Sequence, residues 1–284
     1  MGNAINVAVI GGSGVYKLGA IKVEKSLKVL TPFSDPSGEI LQAKVGDSNF
    51  YFLPRHGIGH TLTPSEVNYR ANIYALKKLG VKYIVSVSAV GSLKEELPPT
   101  KFVLVDQFID WTKGQRERTF FGNGVVGHVS CAHPIEKNLQ KRMKEACEKA
   151  SVDFSMGGSY ICIEGPQFST RAESLFYKNT LGASVIGMTN VTEAFLAKEA
   201  GMAYATVAMV TDYDCWREGE HCTLEEIMKV METNYKSVQK LIVELIPSLC
   251  KNPVDYTPEN KMAVVTDPNK IKEKHKEILD IILS

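Results

Sequence analysis

Short, continuous runs of apolar and β-branched residues restrict the fold of this chain more than any other feature of its sequence. A long example is residues 202–210, all nine of which are apolar or β-branched. A strand with one face in solvent alternates apolar and polar residues, whereas a strand buried on both faces is apolar throughout. The runs therefore predict a sheet that is covered on both faces. Its predicted strands are residues 6–10, 40–45, 50–53, 83–87, 102–105, 159–163, 183–186 and 203–210.

Start and stop signals of helices lie between these strands. Thr63, Pro64 and Glu66 supply an N-cap, a proline at the first helical position and the second half of a capping box, and Gly80 follows. This pattern predicts a helix over 64–79. Similar signals predict further helices from Thr170 to before Gly182 and from Thr223 to before Pro247. Apolar residues at helical spacing, with charged residues on the opposite face, predict two more over 135–150 and 270–283.

Strands that alternate with helices are typical of an α/β fold, here a mixed β-sheet flanked by helices. No repeat, low-complexity tract or block of charge interrupts the sequence. We therefore expect a single domain over residues 1–284, with a helical C-terminal tail at about 255–284.

The charge of the chain is nearly balanced, with 33 Lys and Arg against 32 Asp and Glu and a formal net charge of +1. No global positive field exists to attract nucleic acid or an anionic membrane, so we expect neither as a partner. No run of apolar and β-branched residues is longer than about half of a bilayer span. Without a signal or transit peptide, the sequence predicts a cytoplasmic protein, with a nuclear location as the alternative.

Six cysteines show neither a C-x-x-C pair nor the spacing of a zinc site. We therefore predict free thiols, mostly buried, and no metal. The alternative is a disulfide framework, which a core of this size does not need. The cysteines are at positions 131, 147, 162, 215, 222 and 250.

Glycine-rich and hydroxyl-bearing loops follow several predicted strands. Gly11-Gly12-Ser13-Gly14 follows the first strand, where glycines let a backbone approach a phosphate. The loop does not fit the dinucleotide fingerprint, because Lys17 stands where glycine or alanine is needed, and it does not fit a P-loop. A tight turn without a ligand is the alternative interpretation.

A second group of strand ends carries an arginine and further hydroxyls. Arginine is suited to a bidentate contact with a tetrahedral oxyanion, in which two of its N–H groups donate to two oxygens. Arg55 and the adjacent His56 are therefore candidates for an anion site. The alternative is that Arg55 pairs with an acidic neighbour and His56 lies in a surface loop. Ser88-Ala89 and Met188-Thr189 end two more predicted strands, and together these segments predict a phosphate cradle without a metal.

Asp212 and Asp214 follow the most apolar strand. On an extended backbone, residues i and i+2 point to the same side, and a carboxyl in a partly apolar site has a raised pKa and can donate a proton. A metal site and a pair of solvated turn aspartates are the alternatives. Phe168 is a candidate stacking wall for a planar heterocycle and Met188 a candidate sugar contact, although both residue types more often fill cores.

In their order along the chain, these motifs resemble the trimeric purine nucleoside phosphorylases over about residues 5–250, and within that family the branch that acts on 5′-methylthioadenosine. The motifs are Gly11-Gly12-Ser13-Gly14, Arg55-His56-Gly57, Val67-Asn68-Tyr69-x₂-Asn72, Ser88-Ala89-x-Gly91-Ser92, Glu164-Gly165-Pro166-x-Phe168-Ser169, Met188-Thr189 with Glu193, and Thr211-Asp212-Tyr213-Asp214-Cys215-Trp216.

The resemblance implies a phosphorylase/hydrolase-like fold, a homotrimer and a pentosyl transfer that belongs to purine and methionine salvage. Methylthioadenosine and phosphate would give adenine and 5-methylthioribose 1-phosphate, without a metal or organic cofactor.

The resemblance also implies roles for individual residues. Asp212 and Asp214 would be catalytic and address the adenine edge, with Ser169 supporting Asp212. Phe168 would contact the base, Met188 the ribose, and His128 of the partner subunit the methylthio group. Phosphate would be bound by Ser13, Arg55, His56, Ser88, Ala89 and Thr189.

The sequence departs from the family pattern where Ser13 and Ser88 replace threonine, a change that keeps the hydroxyl but alters the fit to phosphate. A 6-oxopurine nucleoside phosphorylase is the nearest rival function, but it normally has asparagine in place of Asp212, whose carboxyl group favours a 6-aminopurine. The sequence also leaves open a phosphorylase that prefers adenosine, a regulatory nucleotide-binding protein and a Rossmann-type dehydrogenase, the last of which Lys17 disfavours.

Overall fold

One large mixed β-sheet organises the chain. The computed structural model describes residues 5–15, 21–217 and 223–284, except the side chains of Ser13 and Leu224, so Lys17 and Cys222 lie outside it. Within these residues the sheet has eleven strands. They are β1 (Val7–Gly11), β2 (Lys22–Leu27), β3 (Ile40–Val45), β4 (Ser48–Pro54), β5 (Tyr83–Ser92), β6 (Phe102–Leu104), β7 (Gln107–Trp111), β8 (Phe154–Met156), β9 (Ser159–Ile163), β10 (Val185–Gly187) and β11 (Ala203–Asp212).

Six α-helices cover the sheet in the described part of the chain: α1 (Tyr69–Lys78), α2 (Lys137–Lys149), α3 (Arg171–Asn179), α4 (Asn190–Glu199), α5 (Leu224–Lys251) and α6 (Glu273–Ile282). The predicted α/β class, a mixed sheet flanked by helices, is confirmed. The single domain over 1–284 stays a prediction. None of the described helices is both long and apolar enough to cross a membrane.

The centre of the sheet is β5, which has three neighbours. The strand order is β2-β3-β4-β1-β5-β10-β9-β7, while β11 also pairs with β5 and leads on to β6 and β8. Along one edge, β5 pairs in parallel with β11 from Tyr83 to Gly91. Along the other edge it pairs in parallel with β1 as far as Ser86, and then antiparallel with β10 from Gly91. The edge of β5 between these two partners opens into a pocket.

All eight predicted strands are present, but β2, β7 and β8 were not predicted. The side chains of β2 are almost all exposed, so this strand has no apolar pattern to detect. Its pairing with β3 defines it as a strand. Helix α4 was not predicted either. Eight of its ten residues are buried, and a helix buried on nearly all faces loses the amphipathic period by which helices are found.

Two predicted helix boundaries are wrong. Helix α1 starts at Tyr69, with Asn68 as its N-cap, and not at Pro64. The Thr63 hydroxyl does bond the Glu66 carboxylate, but this contact closes an isolated turn. Helix α5 continues through Pro247 to Lys251. Its fully buried apolar residues around the proline, such as Ile246 and Leu249, supply packing that offsets the missing backbone hydrogen bond.

The described cysteines are free. Cys147 and Cys162 are buried, whereas Cys131, Cys215 and Cys250 are half-buried. The capping box predicted at Thr170 and Glu173 is present at the start of α3. This helix is one of the elements that surround the pocket.

Candidate active site

A pocket of about 490 Å³ lies where β5 changes partners. The strands β1, β4, β5 and β11 are parallel neighbours, so their carboxyl ends meet at one edge of the sheet, the usual place for ligands in α/β folds. The loops after these strands line the pocket, together with those after β9 and β10. One face of α5 closes it through Ile227, Met231 and Tyr235.

The pocket brings together every predicted site residue except two. The side chain of Ser13 lies outside the described residues. His128 is exposed and far along the chain from the lining segments, and its backbone N–H donates to the Ala263 carbonyl in the C-terminal tail. The residues that do line the pocket are Arg55, His56, Ser88, Ala89, Phe168, Ser169, Met188, Thr189, Asp212 and Asp214.

Arg55 forms a buried ion pair with Glu193. Both side chains are almost fully buried, at 3% and 1% exposure. Arg55 Nε and Nη2 donate to the two carboxylate oxygens of Glu193, Nη2 donates to Ser86 Oγ at 2.6 Å, and Nη1 donates to the Val87 carbonyl at 2.8 Å. Burial alone lowers the pKa of an arginine, but the Glu193 charge outweighs it and raises that of Arg55.

This geometry differs from the bidentate contact with phosphate that the sequence predicted for Arg55. A guanidinium has five N–H groups, and four of those of Arg55 are used inside the protein. One N–H on Nη1 is left for a ligand. The acidic neighbour that the sequence left open as a partner of Arg55 is therefore present, and it is Glu193. Sequence reasoning assigned no role to this residue.

His56 is neutral in the pocket. Burial, followed by the charge of Arg55, lowers its pKa to about 4. Its Nδ1 lies 2.9 Å from the Leu62 carbonyl. Because a carbonyl only accepts, Nδ1 carries the proton and Nε2 is an acceptor in the neutral ring. The ring stacks on His60, with centroids 4.4 Å apart.

The two aspartates reach the pocket through a turn, not through an extended backbone as predicted. Asp212 ends β11 next to an irregularity in its pairing with β5, and Asp214 has a φ of 54°. Asp212 accepts hydrogen bonds from the Thr211 hydroxyl at 2.6 Å and from the Asp214 backbone N–H at 2.7 Å. The carboxyl groups therefore share one wall of the pocket.

The carboxyl group whose pKa the pocket raises is that of Asp214. Asp214 is 5% exposed, and burial is the main cause that raises its pKa to about 6. The charge of Asp212 acts in the same direction, whereas a hydrogen bond from the Ser174 hydroxyl opposes it. At neutral pH, Asp214 is mostly ionised but close to its titration range.

Ser169 does not support Asp212 in this structure. Its hydroxyl is buried and has no hydrogen-bond partner within the described residues. The serine that contacts the aspartate pair is Ser174 on α3, which bonds Asp214. Its position within a helix, five residues beyond Ser169, gave no sign of this role in the sequence.

The loop after β9 is positioned by a second buried ion pair, which sequence reasoning also missed. Arg116 Nε donates to Glu164 at 2.9 Å, and its Nη groups donate to the carbonyls of Glu164 and Met188. This arginine thus connects the segment that carries Phe168 to the segment that carries Met188. Phe168 itself is 54% exposed at the mouth of the pocket, where its ring is free to cover a planar ligand.

The described residues contain no group of three or more His, Cys, Asp or Glu side chains that could hold a metal ion.

The chemical groups of the pocket fall into three sets. Neutral donors and one arginine lie near the ends of β4, β5 and β10, a pair of carboxyls follows β11, and apolar side chains come from α5. Together, these sets suit a ligand that has an anionic part, a polar planar part and an apolar part.

Comparison with known proteins decides the family. A sequence profile of the phosphorylase superfamily matches residues 6–247. The chain belongs to the phosphorylase superfamily. This confirms the family expected from the motifs.

Relatives of this superfamily member share most of its length. An S-methyl-5′-thioadenosine phosphorylase of Geobacter sulfurreducens is 44% identical, covering 98% of this chain and 97% of its own. One from Rhodospirillum rubrum is 47% identical, covering 93% and 91%.

Two solved structures share the fold. A methylthioadenosine phosphorylase from an antarctic soil metagenomic library has a TM-score of 0.93 at 44% identity, covering 99% of this chain and all of its own. The methylthioadenosine phosphorylase of Schistosoma mansoni in complex with adenine has a TM-score of 0.82 at 34% identity, covering 97% and 98%.

The raised pKa of Asp214 predicts how the stability of this phosphorylase depends on pH. Its folded pKa, about 6, exceeds the roughly 3.9 of an unfolded aspartate. The folded state thus binds more protons in this window, and ionisation of Asp214 destabilises it as pH rises. Relative to Asp214→Asn, the wild type should lose up to about 3 kcal/mol of unfolding free energy between pH 4 and 7, measured by urea denaturation.

The matched control is Asp153→Asn, which changes an exposed aspartate that pairs with Lys101 outside the pocket. Its stability difference from wild type should stay nearly constant over the same range. The lowered pKa of His56 makes the folded state more stable as pH rises, the opposite of the effect of Asp214. This contribution is the same in all three proteins, so it cancels when their stabilities are compared. A constant difference for Asp214→Asn as well would show that Asp214 is not held in a desolvated site.

Proposed function

We propose that this chain is a pentosyltransferase that cleaves 5′-methylthioadenosine with inorganic phosphate, giving adenine and 5-methylthioribose 1-phosphate. The observation that carries the proposal is the single pocket in which the Asp212–Asp214 pair, the hydroxyl-bearing strand ends and the apolar face of α5 meet. The names of the relatives and the adenine complex of the Schistosoma mansoni protein support it. We propose no metal or organic cofactor.

The phosphate would lie at the ends of β1, β4, β5 and β10. Here Ser88 and Thr189 place hydroxyls on the pocket wall, and both make only long internal hydrogen bonds, of 3.3 Å or more. Their donors can therefore turn to a ligand. The remaining N–H of Arg55 and the backbone N–H groups of the glycine-rich loop complete the cradle in this proposal.

The reaction needs charge stabilisation at two places. Breaking an N-glycosidic bond builds positive charge on the ribose and negative charge on the departing purine, and a catalyst gains most from contacts that strengthen as those charges develop. A phosphate held beneath the anomeric carbon opposes the positive charge and is also the nucleophile. A proton delivered to the purine neutralises the negative charge.

We propose that Asp212 delivers this proton to N7 and that Asp214 accepts from the exocyclic N6 amine. A purine in the pocket displaces water from the half-exposed Asp212, so that its carboxyl group can contact the base directly. Asp214, mostly ionised at neutral pH, is the better acceptor. Only a 6-aminopurine offers an amine donor at this place, which disfavours inosine.

The apolar part of the substrate would lie against α5. Ile227 and Met231 are one helical turn apart and face the pocket. Met231 is 8% exposed, and its polarizable thioether suits contact with a methylthio group.

A substrate panel tests the function directly. Methylthioadenosine, adenosine and inosine are incubated with the protein, with and without inorganic phosphate, and the released base is measured by chromatography. We expect adenine from methylthioadenosine only when phosphate is present, and little hypoxanthine from inosine. Release of adenine at the same rate without phosphate would identify a hydrolase. Faster release from inosine would favour a 6-oxopurine nucleoside phosphorylase.

Asp212→Asn tests the proton donor. The amide keeps the shape of the side chain but is not an acid, so kcat/KM for methylthioadenosine should fall by roughly 10²–10⁴-fold. Its NH₂ can donate to N7 or to the adjacent O6 carbonyl of hypoxanthine, so activity on inosine should rise relative to methylthioadenosine. Steady-state kinetics on both substrates measure this, with Asp153→Asn as the control. An unchanged ratio and a rate within a few-fold of wild type would remove Asp212 from the mechanism.

We also propose a homotrimer in which a partner subunit covers the methylthio end of the pocket. The segment around His128 is joined to the tail through Val126 and Val265, and this surface exposes Val126, Met262 and Val265 by 51%, 90% and 63%. Light scattering should give three times the chain mass of 31.3 kDa. A fully active monomer would contradict the proposal.

We also propose a cytoplasmic location for the protein, which agrees with the free thiols of the described cysteines.

A further inference from the structure

Tyr235 is a pocket residue to which neither the motifs nor the proposed mechanism assigns a role. It lies on α5, one helical turn beyond Met231 and two beyond Ile227, so all three side chains share the face that lines the pocket. The first two are apolar, whereas Tyr235 brings a phenol hydroxyl to the end of this row.

The Tyr235 ring packs directly on the glycine-rich loop after β1. A Cβ atom at Gly14 would collide with the ring, so glycine at this position is required by the approach of α5. One turn further along α5, Gln239 donates to the Val15 carbonyl at 3.0 Å and holds the same loop. The contact between α5 and the loop is therefore close and fixed at two points.

The hydroxyl of Tyr235 lies beside Gly12. A Cβ atom at Gly12 would be 3.3 Å from Tyr235 Oη. Gly12 lines the pocket, so the hydroxyl is placed at the end of the cavity formed by the glycine-rich loop. This is the end at which the proposed function puts phosphate.

The hydroxyl also has no hydrogen-bond partner within the described residues. The other tyrosine near these strand ends, Tyr160, differs, because its hydroxyl contacts Ser88 Oγ at 3.4 Å and the Thr189 N–H at 3.5 Å. Burial raises the pKa of Tyr235 above its usual value, so the phenol is protonated at neutral pH. A half-buried donor without a partner inside a pocket is available to a ligand.

The charges of the pocket explain why such a donor matters. Arg55 is the one permanent cation among the described lining residues, and Glu193 neutralises it. His56, with a pKa of about 4, adds no positive charge at neutral pH. A phosphate must therefore be held mainly by neutral donors, and each of them contributes a large share of its binding.

We propose that the Tyr235 hydroxyl donates a hydrogen bond to the phosphate co-substrate. Tyr235 is then a binding residue for phosphate, whereas Ile227 and Met231 on the same face of α5 contact the apolar part of the nucleoside. The inference rests on the proposed function, since it takes phosphate as the ligand of the glycine-rich loop.

Tyr235→Phe tests the proposal, because it removes the hydroxyl and keeps the ring that packs on Gly14. Loss of a hydrogen bond to a charged group should raise the KM for phosphate by roughly tenfold or more, while the KM for methylthioadenosine stays within about twofold. The control is Tyr74→Phe, which removes a phenol hydroxyl from α1 outside the pocket and should change neither constant. An unchanged phosphate KM, or a rise confined to the nucleoside KM, would overturn the inference.

A binding measurement with inorganic phosphate alone separates this inference from the proposed function. A ligand that binds only the folded state raises its melting temperature. Phosphate should raise the Tm of wild type and of Tyr74→Phe equally, and that of Tyr235→Phe much less at the same concentration. Equal increases in all three would exclude the hydroxyl as a phosphate ligand, whatever nucleoside the enzyme cleaves. Absence of any increase in wild type would instead count against phosphate as the co-substrate.

Discussion

The buried ion pair between Arg55 and Glu193 is the interaction on which the pocket depends. Two charges taken out of water are costly unless their geometry is good and their remaining polar atoms are satisfied. Here Ser86, the Val87 carbonyl and the Tyr204 hydroxyl provide those partners. The pair connects the end of β4 to helix α4, and Ser86 ties both to the central strand β5.

The position of the ion pair explains why the pocket opens where it does. Strand β5 has lost β1 as a neighbour after Ser86 and meets β10 only at Gly91. The interval contains Val87, Ser88 and Ala89, which line the pocket, and the Val87 carbonyl is held by Arg55. The arginine therefore shapes the wall of the cavity more than it offers charge to a ligand. In the proposed function, phosphate is then bound mainly by hydroxyl and backbone N–H groups gathered at strand ends.

Much of the fold and the general position of the site follow from local sequence patterns. The apolar runs predicted eight strands because strands buried on both faces lack alternation, and the capping box at Thr170 correctly predicted the start of α3. The segments after β4, β5 and β10 were expected to form one cradle, and their residues do line one pocket.

The contacts that govern the chemistry of these residues could not be predicted in the same way. Arg55 and Glu193 are 138 positions apart, and Glu193 lies on a helix that burial on nearly all faces made undetectable. The pKa of Asp214 is raised because a turn buries its carboxyl group, a detail that an extended-strand assumption misses. Tyr235 reaches the glycine-rich loop through tertiary packing of α5. Each of these contacts depends on how distant elements pack, which local periodicity does not encode.

A crystal structure of the protein with phosphate and an unreactive analogue of methylthioadenosine would test the central claim most directly. We expect both Arg55–Glu193 contacts to be retained and the phosphate to be bound by neutral donors, with at most one N–H from Arg55. An arginine that leaves Glu193 to grip the phosphate with two N–H groups would contradict this account of the pocket.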